Sequence, residues 1–308
     1  MTKSRPIALD LDRLNAARLI IPLTTRVHLF LIGCGGTGSW LAPAVARIAR
    51  LLIEKFARDA AVGFVDPDVV EGKNIYRQNF CAAEIGTNKA VALATRYSLT
   101  WGVDIQAYPA KFGWSIANDL GGGYGRDSLS VYVGCVDNVR ARRDILGAIH
   151  NNYGTCFWLD CGNDKESGQV LIGRNGPGEK VKTFPLQGRC AWLPLPSRQH
   201  KELVGRAGAA DEGVDGEDDD EENAEEETSA GEPVEVPAVM EGLSCAEVAM
   251  LDEQGLSINQ AIASIAADYL LRLLLTQNLD KFQTYIDLAS GSMKSTYITP
   301  ANLRQWKR

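Results

Sequence analysis

The stretch VHLFLIGCGGTGSW, positions 27–40, decides how the remainder of the chain reads. Residues 27–32 form a short, largely apolar run, the pattern of a buried strand. It leads directly into Gly33, Gly35, Gly36 and Gly38. Beyond them, apolar residues recur at Leu41, Ala44, Val45, Ile48, Ala49 and Leu52, which is helical spacing. Strand, glycine turn and helix together form the context of a nucleotide-phosphate loop. Glycine lets the backbone meet a phosphate with no Cβ between them. A helix beginning near Ser39 would aim its unpaired N–H groups, and the positive end of its dipole, at the anion. The stretch therefore predicts an α/β fold, a Rossmann-like doubly wound and mostly parallel sheet, with a nucleotide at its edge. It does not say which nucleotide.

Composition narrows the class. The 308 residues are 45% hydrophobic, enough for one large α/β domain or two small ones. No apolar run of about 18 residues occurs, so no membrane span is expected. The polar start MTKSRPIALDLDRL does not fit a signal peptide. Seven cysteines, at positions 34, 81, 135, 156, 161, 190 and 245, form no C-x-x-C pair. An odd count with no export signal argues for a reduced, cytoplasmic setting rather than a disulfide scaffold. His28, His150 and His200 have no catalytic context and read as ordinary surface or packing residues. Positions 211–235 hold 14 acidic residues and no Lys or Arg, so without them the net charge of −7 becomes +7. The mildly basic remainder suits a nucleotide and an acidic partner. No interleaved aromatic and basic platform for nucleic acid is visible.

Outward from the glycine turn, residues 1–26 read as an N-terminal extension with a short helix over 11–20. A second strand, 61–65, ends at Asp66, where this architecture meets a ribose; an ordinary β-to-loop Asp is the alternative. The loop EGKNIYRQNF carries Asn74, Arg77 and Gln78, and Lys89 stands in the first turn of the next helix. A cation at a helix N-terminus opposes the dipole, a cost that bound polyphosphate would reverse. Arg77 and Lys89 suit a triphosphate better than a dinucleotide; a solvated helix face is the alternative for Lys89. Further strands are predicted at 105–111, 130–135, 157–160 and 168–172. Asp137 follows the strand 130–135 on the ligand side of the sheet. It could hold Mg²⁺ with phosphates filling the other positions, or cap the next helix. Residues 175–203 are Gly- and Pro-rich, and 204–238 read as a disordered acidic insertion. An amphipathic helix over 258–273 and a β-hairpin turning at 290–291 close the chain.

Four pieces now stand in order: GCGGTGS, D-x-D-x-x-x-x-x-N-x-x-R-Q from Asp66, GTNK ending at Lys89, and VDN at 136–138. As a set they resemble the ThiF/MoeB family, whose core is shared with ubiquitin-activating enzymes. The likeness is firm over 27–172 and looser beyond, where the acidic insertion is similar to ThiF-related proteins of the PRTRC cassette. The resemblance implies a nucleotide-binding adenylation core over 27–174, a crossover loop over 175–244, and a C-terminal helix and hairpin over 245–308 completing the same domain. It implies binding of ATP and Mg²⁺, and adenylation of the C-terminal Gly-Gly carboxylate of a small ubiquitin-like, β-grasp partner by a homodimer. Gly33, Gly35, Gly36 and Gly38 would cradle phosphate. Asp66 and Asp68 would serve the nucleotide side, with Asp66 on the ribose. Asn74, Arg77, Gln78 and Lys89 would grip the triphosphate, and Asp137 would take the metal. Cys245 matches the family's crossover cysteine, a candidate for later thioester transfer, with Cys190 the other loop cysteine. The paired C-x-x-C motifs of zinc-bearing relatives are absent, so no zinc is expected. Arg13 is too weak a counterpart of the family's N-terminal arginine to carry its role. Two other readings stay open: an NAD(P)-dependent oxidoreductase, which the glycine turn alone allows, and a non-catalytic module of the same fold.

Overall fold

A computed structural model describes residues 11–121, 128–176, 182–205 and 257–306. After a one-turn helix α1 (Leu11–Leu14), a two-residue strand β1 (Arg18–Leu19) leads to β2 (Arg26–Ile32). The glycine-turn helix α2 (Gly36–Phe56) follows, then β3 (Asp59–Val65), α3 (Lys89–Trp101), β4 (Ile105–Tyr108) and α4 (Trp114–Asp119). Next come β5 (Ser128–Gly134), α5 (Val139–His150), β6 (Thr155–Asn163), β7 (Ser167–Arg174), β8 (Arg189–Cys190) and α6 (Pro196–Gln199). The chain closes with α7 (Ile258–Leu274), β9 (Lys281–Asp287) and β10 (Ser292–Tyr297).

One eight-stranded sheet runs β10-β9-β7-β6-β5-β2-β3-β4. Strands β2 to β6 are mutually parallel, and β7, β9 and β10 continue the sheet antiparallel. This is the doubly wound, mostly parallel fold that the glycine turn predicts, and the hairpin predicted at the end of the chain joins it as an antiparallel C-terminal extension. Alternation along β2 divides the core. Val27, Leu29 and Leu31 pack with α2, α3 and α7, while Phe30 and Ile32 pack with α4 and α5 on the other face. Both faces are covered, so β5 is buried along its whole length. Phe30 stacks on Tyr132 of the neighbouring strand with ring centroids 4.8 Å apart.

Several boundaries differ from the sequence reading. The helix predicted over 11–20 stops at Leu14, because residues 17–20 are claimed by partners far along the chain. Ala17 donates to the Ile298 carbonyl, Leu19 to that of Leu279 and Ile20 to that of Cys190. The strands predicted at 157–160 and 168–172 are longer, since they form an antiparallel hairpin from Asn163↔Gly168 to Phe157↔Arg174. The strand predicted over 105–111 ends at Tyr108, where pairing with β3 runs out.

Among the described glycines, the least room for a Cβ lies where α2 leaves the glycine turn. A Cβ on Gly38 would stand 1.8 Å from the Gly33 carbonyl oxygen. Backbone atoms on both sides leave nothing free to give. Gly38→Ala should therefore cost about 3 kcal/mol or more in urea unfolding; a cost below about 1 kcal/mol would contradict this packing.

Candidate functional site

The chain winds from β2 to β3 and β4 in one direction, then returns to β5 on the other side of β2. The loops after β2 and β5 therefore part, and in open α/β sheets ligands enter at such a point. A cleft of about 1330 Å³ opens there. Gly33, Gly35 and Gly36 border it, as do Asp66, Asp68 and Lys89, the loop residues Asn74, Arg77 and Gln78, and Asp137. The segments that sequence reading singled out thus converge on one mouth.

Gly33, Gly36 and Gly38 each have their own reason. Gly33 adopts φ +87°, and a Cβ there would stand 2.5 Å from the Cys135 carbonyl oxygen. Gly36 lies against the Asn259 amide, whose Oδ1 would be 2.6 Å from an added Cβ. Gly38 is the correction to the phosphate-cradle expectation: it is buried in the contact between helix and turn, and does not border the cleft. The turn is held by Asp66. One carboxylate oxygen accepts from the Cys34 N–H at 2.6 Å, the other from the Asp68 N–H at 2.9 Å. Burial raises the Asp66 carboxyl above its usual range, while these two N–H groups and Lys89 oppose that rise.

The loop bearing Arg77 is pinned to α2. Pro43 inside that helix has no N–H for the Ser39 carbonyl. The Asn79 side chain donates to it instead at 3.2 Å, and the Asn79 backbone N–H donates to the Ser39 hydroxyl at 2.9 Å. Trp40 Nε1 donates to the Arg77 carbonyl. Asn74 is buried, its Oδ1 accepting from the Glu71 N–H. Arg77 is half-buried beside it. Lys89 is not on a solvated face: its side chain is 9% exposed, with Nζ 2.8 Å from Asp68 Oδ2.

On the β5 side, Asn138 caps α5 by accepting from the Ala141 N–H at 2.8 Å. The capping role open to Asp137 therefore falls to its neighbour, and Asp137 stands exposed at the cleft. Beneath it Arg142 donates to the Asp137 carbonyl and, through Nε at 3.1 Å, to Asp160. Asp160 is fully buried, and desolvation outweighs Arg142 to push its carboxyl up to about 6.

Sequence reading missed a polar group under the turn. Asn259 at the start of α7 is fully buried. Its Oδ1 accepts from Thr37 and Asn163, both at 3.2 Å, and its Nδ2 is unpartnered among the described residues, as is Gln78 Oε1. Both residues border the cleft. The one clue was an Asn in the first turn of an otherwise apolar helix. His200, read as an ordinary residue, bridges Glu202 and the cleft residue Tyr285. Cys190, the second thioester candidate, is fully buried and donates to the Trp192 carbonyl, with burial pushing its thiol up to about 11. So placed, it is no nucleophile. Cys245 and nearly all of the 204–238 insertion lie outside the described residues.

Fold and cleft define a class: a doubly wound α/β protein with a glycine turn, two cations and an exposed carboxylate at its topological switch point. A family model described as the ThiF family matches residues 23–305, and the chain belongs to that family. No curated protein matches it in sequence. Among solved structures it is similar to PaaA (14% identity, TM-score 0.47, covering 89% of this chain and 64% of that one). It is also similar to E. coli MccB (11%, 0.48, 90% and 63%) and to E. coli MccB with ATP (12%, 0.46, 94% and 66%). The chain thus spans just under two thirds of the length of these relatives.

Two outcomes test this geometry. Asn79→Ala strips the Ser39 carbonyl of its donor; it should cost about 1–3 kcal/mol and speed hydrogen exchange across residues 72–79. Unchanged exchange would mean that Asn79 does not hold the loop. For Asp160 the sign follows from its raised carboxyl. Its stabilising contribution is complete below the ordinary value of 3.8 and is lost as pH rises through about 6. The stability of wild type relative to Asp160→Asn should fall by roughly 2 kcal/mol between pH 4 and 7; a flat difference would reject the assignment.

Proposed function

We propose that this protein is an ATP-dependent adenylyltransferase that activates the C-terminal carboxylate of a small Gly-Gly-ended, β-grasp protein partner. The observation that carries the reading is the convergence of Arg77, Lys89 and Asp137 on the mouth of the glycine turn. Two cations there match a polyphosphate, and hydride transfer to or from a dinucleotide calls for neither. The cleft, at about 1330 Å³, exceeds the roughly 300–1,000 Å³ of an ordinary small-ligand pocket. It has room for a nucleotide and a second reactant.

The residues present fit a nucleotide and a metal. Asn259 Nδ2 is a buried donor with no partner among the described residues, set against Gly36 at the N-terminus of α2. A phosphate oxygen there would satisfy it, and the helix end favours the charge. Asp66 presents its remaining lone pairs to a ribose. Among the described residues no three His, Cys, Asp or Glu side chains form a metal cage of their own. Mg²⁺ held by Asp137 would thus complete its shell with phosphate oxygens and water, as this ion commonly does. When bound, it supplies neutralisation of phosphate charge.

The chain's own side chains supply position and field. A substrate carboxylate attacks the α-phosphorus, the bond to the bridging oxygen breaks, and pyrophosphate leaves. No proton moves, so no acid–base pair is required. A carboxylate is a weak nucleophile that the triphosphate repels. Arg77 and Lys89 reduce that repulsion, and the pinned loop from Asn74 to Asn79 holds Arg77 in place. Lys89 is held in place by Asp68 until phosphate arrives. A later transfer to Cys245 as a thioester would extend the same chemistry.

Exchange of labelled pyrophosphate into ATP should appear when a Gly-Gly-ended β-grasp protein is added. Asp137→Ala should lower it about 100-fold or more, and Lys89→Ala comparably. Exchange indifferent to Asp137→Ala would remove the mechanism. Calorimetric binding of NAD in preference to ATP·Mg would replace it with a dinucleotide reading.

A further inference from the structure

One polar cluster at the far side of the cleft is left unused by this mechanism. His200 lies between α6 and the 3₁₀ turn Lys201–Val204. Its Nδ1 is 2.8 Å from Glu202 Oε1 and its Nε2 is 2.6 Å from the Tyr285 hydroxyl. The two rings meet edge to face at 68°. The segment around His200 is anchored on three sides. Gln199 donates to the Ile172 and Pro194 carbonyls, Arg143 of α5 donates to the Val204 carbonyl, and Trp306 donates to the Arg198 carbonyl. The ring is therefore built in place.

Tyr285 sits at the centre of a row. In register it faces Gln169 of β7 on one side and Lys294 of β10 on the other, and all three border the cleft. Its neighbour Thr284 points to the opposite face, where it meets Tyr269 of α7. Three strands at about 4.8 Å spacing make a row about 10 Å long, the length of three extended residues. Amide, phenol and ammonium in line offer a mixed series of acceptors and donors. An extended peptide backbone presents the same kind of series.

The two partners of the His200 ring bear on the direction of the phenol. A carboxylate accepts only, so Nδ1 of His200 carries the proton that Glu202 receives. The Glu202 backbone N–H first, and the His200 ring second, hold that carboxyl below its usual range. In the Nδ1–H tautomer Nε2 is then an acceptor, and the Tyr285 O–H donates to it. Burial, with the Glu202 charge, pushes the Tyr285 phenol above its usual range, so it keeps its proton. Its oxygen keeps lone pairs that can accept, and the residue borders the cleft.

We propose that Tyr285, oriented by the Glu202–His200 pair, is a positioning residue that accepts a hydrogen bond from a main-chain N–H of the incoming acyl substrate. This rests on the adenylation reading above and names a recognition element for the second reactant rather than for the nucleotide.

The test is pyrophosphate exchange by the full chain, with a Gly-Gly-ended β-grasp protein as the acyl substrate. Tyr285→Phe keeps the ring and removes the acceptor. It should raise KM for that protein by roughly five- to tenfold, leaving KM for ATP, saturated kcat and Tm near wild type. His200→Gln should raise the same KM by a smaller factor, and the double variant should be no worse than Tyr285→Phe, because the two act as one unit. An unchanged KM for the protein substrate overturns the proposal. So does a matching rise in KM for ATP with a fall in Tm, which would mark a packing role, and so does an additive double variant, which would sever His200 from Tyr285. Wild-type chain that binds no ATP·Mg and shows no exchange fails at the adenylation reading itself, and the role of Tyr285 falls with it.

Discussion

The site depends on one carboxylate. Asp66 ends β3, yet both its oxygens are occupied with backbone: the Cys34 N–H of the glycine turn and the Asp68 N–H of its own loop. Two loops that leave adjacent strands are thereby tied at a single buried anion. An isolated carboxylate at 5% exposure would be costly. Two directed N–H donors and the nearby Lys89 offset part of that cost, which is why burial still leads among the influences on Asp66. The consequence is geometric. With Cys34 fixed, Gly33 is forced against the Cys135 carbonyl, and only a residue without Cβ can stand there at φ +87°. The turn, the first residues of α2 and the end of β5 then have one arrangement available.

A second tie carries this order to the cationic loop. A proline in a helix interior normally weakens it by orphaning a carbonyl. Here the orphan at Ser39 is the docking point for Asn79, so a local defect in α2 becomes a long-range contact with the loop carrying Arg77 and Gln78. Asn79 also meets the Tyr97 hydroxyl, and Arg96 reaches the Asn79 carbonyl while pairing with Glu84. The loop is fastened to both α2 and α3. Arg77 is thus presented from a braced backbone, with less main-chain freedom left to lose.

What could be read from residues alone followed from short-range physics. The strand–turn–helix unit, the acid after β3 and the carboxylate after β5 each sit where local pattern and winding rules place them. Legibility ended where a residue's role is set by a distant partner. Residues 17–20 looked helical in isolation and became a two-residue strand, because Leu279, Ile298 and Cys190 supply backbone partners. Gly38 shares a motif with its neighbours, but it faces Gly33 and does not border the cleft. Cys190 reads as a loop cysteine in a Gly- and Pro-rich stretch, but pairing with Arg18–Leu19 draws it into the core. His200 has Glu202 two positions on, but the partner that ties it to the cleft, Tyr285, lies 85 positions away.

The same reasoning explains why the first half of the fold cannot make the site unaided. Thr37, beside the glycine turn, is hydrogen-bonded to Asn259, 222 positions further on, and Asn163 joins them from the end of β6. Gly36 gives Asn259 the space it occupies. Without α7, Thr37 and Asn163 would lose their common partner, and the face of α2 that now packs on α7 would be bared to water. The turn that decides the fold in sequence is thus completed by a helix near the opposite end of the chain. Sheet continuity serves that end. The antiparallel run β7-β9-β10 extends the sheet past the parallel core, and Tyr269 of α7 bonds to Thr284 of β9, seating the helix on the extension while its first turn reaches the glycines.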